Sequence, residues 1–223
     1  TAAGAIAGDG SSKFYIYFKP NTYTLTYSTG AGSWVGSADS APATQFGKTI
    51  SALPVNTTNV TRSGYELVGW TTRQTVTVSG ESVTVNTATG QKALDLFDLI
   101  KDGGTYFSAG SSYTMPKADT TLYAVWKPLM TTYSIYQYGV REDGQVTLLQ
   151  QLESRQAYTD TVVYATADDK TYPGYGYNAT YHDDEVDASR AHDTIDHVTV
   201  GADGLSRISL FFNAKPDTPY TIY

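Results

Sequence analysis

The 223-residue chain contains no cysteine. That excludes disulfides, zinc–thiolate centres and cysteine nucleophiles, and it leaves the cellular compartment open. No stretch approaches the roughly 18 apolar residues that a membrane-spanning helix needs, so direct membrane insertion by this segment is not expected. The opening TAAGAIAGDG lacks the basic start and long apolar run of a signal peptide, and the chain reads as a piece of a longer polypeptide. Positive charge is also scarce, with 15 Lys and Arg against 22 Asp and Glu. The net charge of -7 excludes the basic footprint of a general nucleic-acid binder. Histidine occurs three times, at His182, His192 and His197. No Gly-x-Ser-x-Gly nucleophile elbow and no phosphate-binding loop is present, so the chain is read as non-catalytic and free of cofactors.

What is present is tyrosine, 19 residues against 7 Phe. Tyrosine combines apolar bulk with a polar tip and suits thin cores and half-wet surfaces. The acidity is concentrated: between Asp160 and Asp203 stand ten acidic residues against Lys170 and Arg190. The chain also repeats itself. GDGSSKFYIYFKPNTYTLTY at 8–27 returns as ADGLSRISLFFNAKPDTPYTIY at 202–223. Ser12-Lys13 matches Ser206-Arg207, and Ile16, Tyr17 and Phe18 match Leu210, Phe211 and Phe212. Tandem units imply an array, where length and multivalency matter.

Residues 13–18 and 22–28 read as strands, the second with Tyr23, Leu25 and Tyr27 alternating with polar residues. YELVGW and TTLYAVW are further strands. TVTVSGESVTV predicts a hairpin, and TGQKALDLFDLIKDGG predicts a helix that Gly103-Gly104 ends. Lys127-Pro128-Leu129 reads as a short linker. Beyond it, Asp143-Gly144 predicts a hairpin turn, and AYTDTVVYATADD is ambiguous between strand and a short helix capped by Thr159 or Asp160. Each half then holds several strands and one short helix. The expected fold class is α+β, two small strand-rich domains in tandem.

The order YTLTYSTGAG, LPVNTTNVTRSGYELVGW, GGTYFSAGSSYTMPKADTTLYAVW resembles the internalin B-repeat family over residues 22–127. Its signature positions are Gly64, Tyr65, Gly69, Trp70, Leu122, Tyr123 and Trp126, with a structural role. Residues 73–102 exceed that family's compact spacing and read as an insertion. TYSIYQYGVREDG, YTDTVVYATADDKTYPGYGY and SRISLFF resemble the mucin-binding-protein domains over residues 131–214. The resemblances imply β-grasp-like folds for units over 22–127 and 128–214; the internal repeat adds 1–21 as the closing strand of a preceding repeat and 215–223 as the start of a following one. The resemblances also imply an extracellular, wall-attached surface protein of a Gram-positive bacterium. Its partners would be adjacent repeats and the glycans of host mucin or another glycoprotein.

Tyr172, Tyr175, Tyr177 and Tyr181 are the candidate ligand-binding residues, because aromatic faces stack on sugar rings. The alternative is that they pack the second sheet. Asp183, Asp184 and Asp187, beside His182 and His192, are candidate metal ligands; their spacing matches no EF-hand loop, and a solvated acidic loop is the other reading. Trp34, in a Gly/Ser-rich stretch, is expected to be exposed. Two other functions remain open: a passive stalk that spaces a distal adhesive domain, and an accessory module of a glycan-processing enzyme.

Overall fold

Alternation in the sequence becomes strand in the computed structural model, which describes residues 7–13, 15–38, 43–181 and 196–215. The fold is strand-rich, with one α-helix among the described residues. The first sheet is built from β1 (Leu25–Ser28), β2 (Tyr65–Thr71), β3 (Tyr106–Ser108) and β4 (Thr120–Pro128). Its order is β3-β2-β4-β1, antiparallel except that β4 runs parallel to β1. The register of β2 and β4 shifts between Val125 and Trp126, a bulge that allows Ala124, Val125 and Trp126 all to be buried in succession.

The helix α1 (Gly90–Ile100) packs on this sheet through Ala93, Leu96 and Ile100, the spacing read from the sequence. Gly103 N donates to Ile100 O at 3.0 Å and closes the helix end. Ahead of it, Thr75–Val78 pairs with Glu81–Thr84. Ser79 (φ 49°) and Gly80 (φ 86°) supply the two positive φ values of a tight hairpin turn. The segment that looked like an insertion therefore contributes Val78, Val85, Leu96 and Ile100 to the first core. Trp70 and Trp126 anchor that core; their indole N–H groups donate to Pro54 O and Thr29 O, each at 2.9 Å. Trp34 is corrected: it is half-buried, paired with Val60 in a short ribbon, and meets Tyr27 edge-on at 6.2 Å.

The second sheet comprises β5 (Met130–Val140), β6 (Val146–Gln151), β7 (Arg155–Tyr158), β8 (Tyr175–Tyr177) and β9 (Ser206–Ala214). Its order is β6-β5-β9-β8, with β7 pairing the first half of β5. Here too the first and last strands, β5 and β9, are parallel neighbours. Its core holds Tyr133, Ile135, Val198, Val200, Ile208, Leu210 and Phe212. The stretch 157–169, ambiguous in the sequence, resolves to strand. Arg155–Tyr158 and Val162–Tyr164 are strands, and only a single 3-10 turn, Asp168–Lys170, follows. Asp160 sits at φ 61°, a break that a helix does not accept, and the Val- and Thr-rich stretch finds ladder partners in Met130–Tyr133 and His197–Thr199.

Two further expectations are corrected. Lys127 and Pro128 belong to β4, so Leu129 alone separates β4 from β5. Residues 13 and 15–18 form no strand, because among the described residues no strand pairs with them.

Across the Leu129 step the two sheets are fastened. Leu129 N donates to Gly64 O at 2.8 Å, and Thr159 N donates to Leu129 O at 3.0 Å. Gly64 (φ 72°) has no room for a side chain: a Cβ there would stand 2.6 Å from Thr159 Cγ2 and 2.7 Å from Ala202 Cβ. The Tyr65 hydroxyl donates to Asp160 Oδ2 at 2.6 Å and accepts from Gly90 N at 3.0 Å. Arg62 lies 3.7 Å over the Tyr65 ring and donates to Ala88 O at 3.0 Å. Burial first, then the bond to Asp160, pushes the Tyr65 hydroxyl up to about 12.

Candidate ligand-binding cleft

The sequence Tyr172-Pro173-Gly174-Tyr175 folds as a turn. Gly174 takes φ 78°, Tyr175 N donates to Tyr172 O at 3.1 Å, and proline suits the position before the glycine. The chain then enters β8, the edge strand beside β9, and Lys215 N donates to Gly174 O at 3.0 Å to hold the turn against the sheet. Residues two apart on a strand share a face. Tyr175 and Tyr177 therefore both lie on the side of Phe212, where Tyr172 joins them. Ring centroids are 5.4 Å apart for Tyr172 and Tyr175, 6.4 Å for Tyr172 and Phe212, and 5.7 Å for Tyr177 and Phe212.

These three tyrosines, all half-buried, line an open cleft of about 420 Å³ together with Lys170, Thr171 and Lys215. Lys170 Nζ stands 5.5 Å from the Tyr177 ring centroid and 3.0 Å from Asp196 Oδ2. Asp196 also meets His197 Nδ1 at 3.0 Å, and His197 stacks on Tyr164 at 5.1 Å. The His197 hydrogen bond, followed by that from Lys170, holds the Asp196 carboxyl below the ordinary carboxylate range. Burial pushes the Tyr177 hydroxyl up, against the opposing influence of Lys170. Apolar faces with polar tips and a cation at the rim can hold a flat-faced polar ligand, with stacking for affinity and hydroxyls for orientation.

Tyr181 does not belong to this group. It packs on Phe211 at 5.2 Å, and Phe211 and Phe212, adjacent on β9, face opposite sides of the sheet. On Tyr181's side a different row forms. Tyr138 stacks on Phe211 at 5.6 Å, Tyr136 on Tyr138 at 6.3 Å, and Arg207 lies 5.6 Å from the Tyr136 ring. The sequence reading did not single out Tyr136, Tyr138 or Arg207; the period of two in Tyr136-Gln137-Tyr138 was the available signal.

A bidentate ion pair joins the half-exposed Arg155 to the buried Asp169, next in sequence to Lys170 of the cleft. Asp169 accepts from Arg155 Nη1 at 2.7 Å and Nη2 at 2.5 Å, and from Thr166 N and Oγ1, each at 2.8 Å. Burial alone would push the Asp169 carboxyl up; the Arg155 and Thr166 hydrogen bonds overcome it and leave it below its ordinary value. Gln137, also buried, donates to Asp169 O at 2.8 Å and Thr171 O at 3.1 Å, tying β5 to the segment that leads into the tyrosine turn.

Asp183, Asp184 and Asp187, with His182 and His192, lie outside the described residues. Among the described residues no group of three or more His, Asp or Glu side chains is placed to hold a metal. Of the signature positions, Leu122, Trp70 and Trp126 are fully buried, and Gly69 allows close approach, since a Cβ there would stand 2.4 Å from Phe107 O. Tyr123 is half-buried and outside the first core. Comparison of the chain with protein-family models, curated proteins and solved structures finds no match.

Proposed function

We infer that the chain is a non-catalytic repeat segment of a bacterial cell-surface adhesin, binding host mucin or a related glycoprotein weakly and in many copies. The observation that carries this reading is the cleft where Tyr172, Tyr175 and Tyr177 present half-buried rings beside Lys170 and Lys215. Glycan rings offer apolar C–H faces to such a platform, and the tyrosine hydroxyls and lysines meet their polar groups. A shallow, open site binds weakly by itself; several such sites on one chain raise the effective affinity by about 10²–10⁴-fold. The two units are read as β-grasp-like domains over 22–127 and 128–214, which the parallel pairing of first and last strands in each sheet supports. The extracellular, wall-attached setting belongs to the same proposal and rests on the two family resemblances.

Titration of immobilised mucin with the single chain and with tandem fusions of it tests the reading. Tandem copies are expected to bind at least about tenfold tighter than the single chain, and Tyr175→Ala with Tyr177→Ala to abolish the signal. Failure of the multimers to bind any mucin or glycan offered would sink it. The seam around Leu129 favours a second reading, a passive stalk, because the hydrogen bonds of Gly64, Tyr65 and Thr159 fix one sheet against the other. That reading predicts no glycan binding at any valency and an unchanged distance between labels placed on the two sheets.

A further inference from the structure

Residues 9–18 and 203–212 align without a gap, DGSSKFYIYF against DGLSRISLFF. The structure leading into each stretch is the same. The Asp9 carboxylate accepts from Ser11 N at 2.9 Å, and the Asp203 carboxylate accepts from Leu205 N at 3.0 Å. The Ser12 hydroxyl accepts from Ala7 N at 2.7 Å, and the Ser206 hydroxyl from Gly201 N at 2.7 Å. Gly10 and Gly204 take φ 75° and 71°. One turn has thus been made twice, down to its side-chain bonds.

Past the turn the two copies part. Residues from Ser206 onward form β9, which lies between β5 and β8, and Leu210, Phe211 and Phe212 are 0%, 1% and 0% exposed. Their counterparts Ile16, Tyr17 and Phe18 are 77%, 88% and 88% exposed. A run of large apolar side chains in water marks a surface meant to be covered. The sequence copy tells what covers it: the neighbours that cover β9.

We propose that residues 12–18 are the closing strand of a further unit of the second kind, inserted between that unit's counterparts of β5 and β8 and parallel to the former. Ile16 and Phe18 take the core places that Leu210 and Phe212 hold in this chain. Lys13 and Tyr17 fall on the opposite face, as Arg207 and Phe211 do. There Arg207 lies over Tyr136 and Phe211 stacks on Tyr138, so the receiving sheet carries aromatic side chains at those two positions. This inference rests on the duplicated turn and the reversed exposure, and it stands whether or not the cleft binds glycan.

The test adds a second copy of residues 129–205, which lack β9, directly ahead of Ser12 in the otherwise complete chain. Amide hydrogen exchange at Tyr15–Phe18 is expected to slow at least about 100-fold and to approach that at Ser209–Phe212. In the 223-residue chain the same amides are expected to exchange at the rate of an unfolded peptide. A control with residues 129–214 ahead of Ala7 supplies its own closing strand, and Tyr15–Phe18 are expected to stay unprotected there. Ile16→Asp is expected to remove the added unit's protection while leaving the Tm of the 223-residue chain within about 1 °C. The proposal is overturned if Tyr15–Phe18 remain unprotected behind 129–205, or if Ile16→Asp lowers the Tm of the 223-residue chain. Concentration-dependent protection in that chain alone would assign the covering partner to a second copy and overturn it equally.

Discussion

The two sheets share a plan and differ in what fills it. In each, the first and last strands run parallel side by side, β1 with β4 and β5 with β9. The first sheet is held by Trp70 and Trp126, a covering helix and a hairpin. The second, with no α-helix among its described residues, relies on aliphatic side chains, half-buried tyrosines and the Arg155–Asp169 pair. Large apolar residues confer stability without exposing chemistry. Tyrosines pack one side of the ring and leave the other side wet, so the same residues that complete the second core also make the cleft. The contrast teaches that a core completed by tyrosines leaves an open, half-wet cleft, where one completed by tryptophan and a helix is closed over.

Substitutions can break this comparison. The largest effect is expected from Trp126→Ala, which empties the first core and leaves Thr29 O without its donor, at a cost of about 3–5 kcal/mol. Chemical denaturation followed by tryptophan fluorescence measures it. If the second sheet keeps its amide protection in that variant, the two cores are separable; simultaneous loss would show them to be one cooperative unit.

Next is Asp169→Asn, which leaves the Arg155 guanidinium facing a neutral group and is expected to cost about 2 kcal/mol in the second sheet. Because the Asp169 carboxyl is held below its ordinary value in the folded chain, its contribution is complete above about pH 4. That contribution is lost as pH falls through the depressed folded value. An acid titration watched by circular dichroism should therefore show the wild type losing stability relative to the variant below about pH 4.

Tyr65→Phe acts at the seam instead of in either core and is expected to cost about 1 kcal/mol. The wild-type hydroxyl is raised to about 12, so its stabilisation is complete below about pH 10, the unfolded value, and declines as pH rises toward 12. Alkaline unfolding curves that superimpose for wild type and Tyr65→Phe would contradict this. The smallest effect is a gain: Ser79→Asn, placing a residue that tolerates positive φ in the hairpin turn, should stabilise the first sheet by roughly 0.5 kcal/mol in urea denaturation.

Local patterns were legible in the sequence wherever one period dominated. The helix showed in Ala93, Leu96, Phe97 and Ile100, and the two hairpins in Ser79-Gly80 and Asp143-Gly144. Residues 157–169 read equally as strand or short helix, because their conformation depends on ladder partners as distant as Met130 and Thr199. Lys127-Pro128-Leu129 looked like a linker because proline marks turns, yet Pro128 sits opposite Tyr65 at the end of a strand. Of the candidate site, Tyr172, Tyr175 and Tyr177 were found together and Tyr181 was not. A strand would carry Tyr181 on the face of Tyr177, but the chain leaves β8 at Asn178, whose side chain accepts from Thr180 N and Tyr181 N and turns the ring to the other face.

The parallel pairing of first and last strands has a consequence for load. A pull applied between Leu129 and Ala214 draws β5 and β9 lengthwise in opposite directions, so their ladder is sheared instead of unzipped. The eight register pairs from Tyr133 with Ser206 to Val140 with Asn213 bear that force in parallel. In the first sheet the corresponding ladder, Leu25 with Thr120 to Ser28 with Tyr123, has four. Under such a pull the second sheet would outlast the first, and the cleft would stay formed after the first ladder had parted.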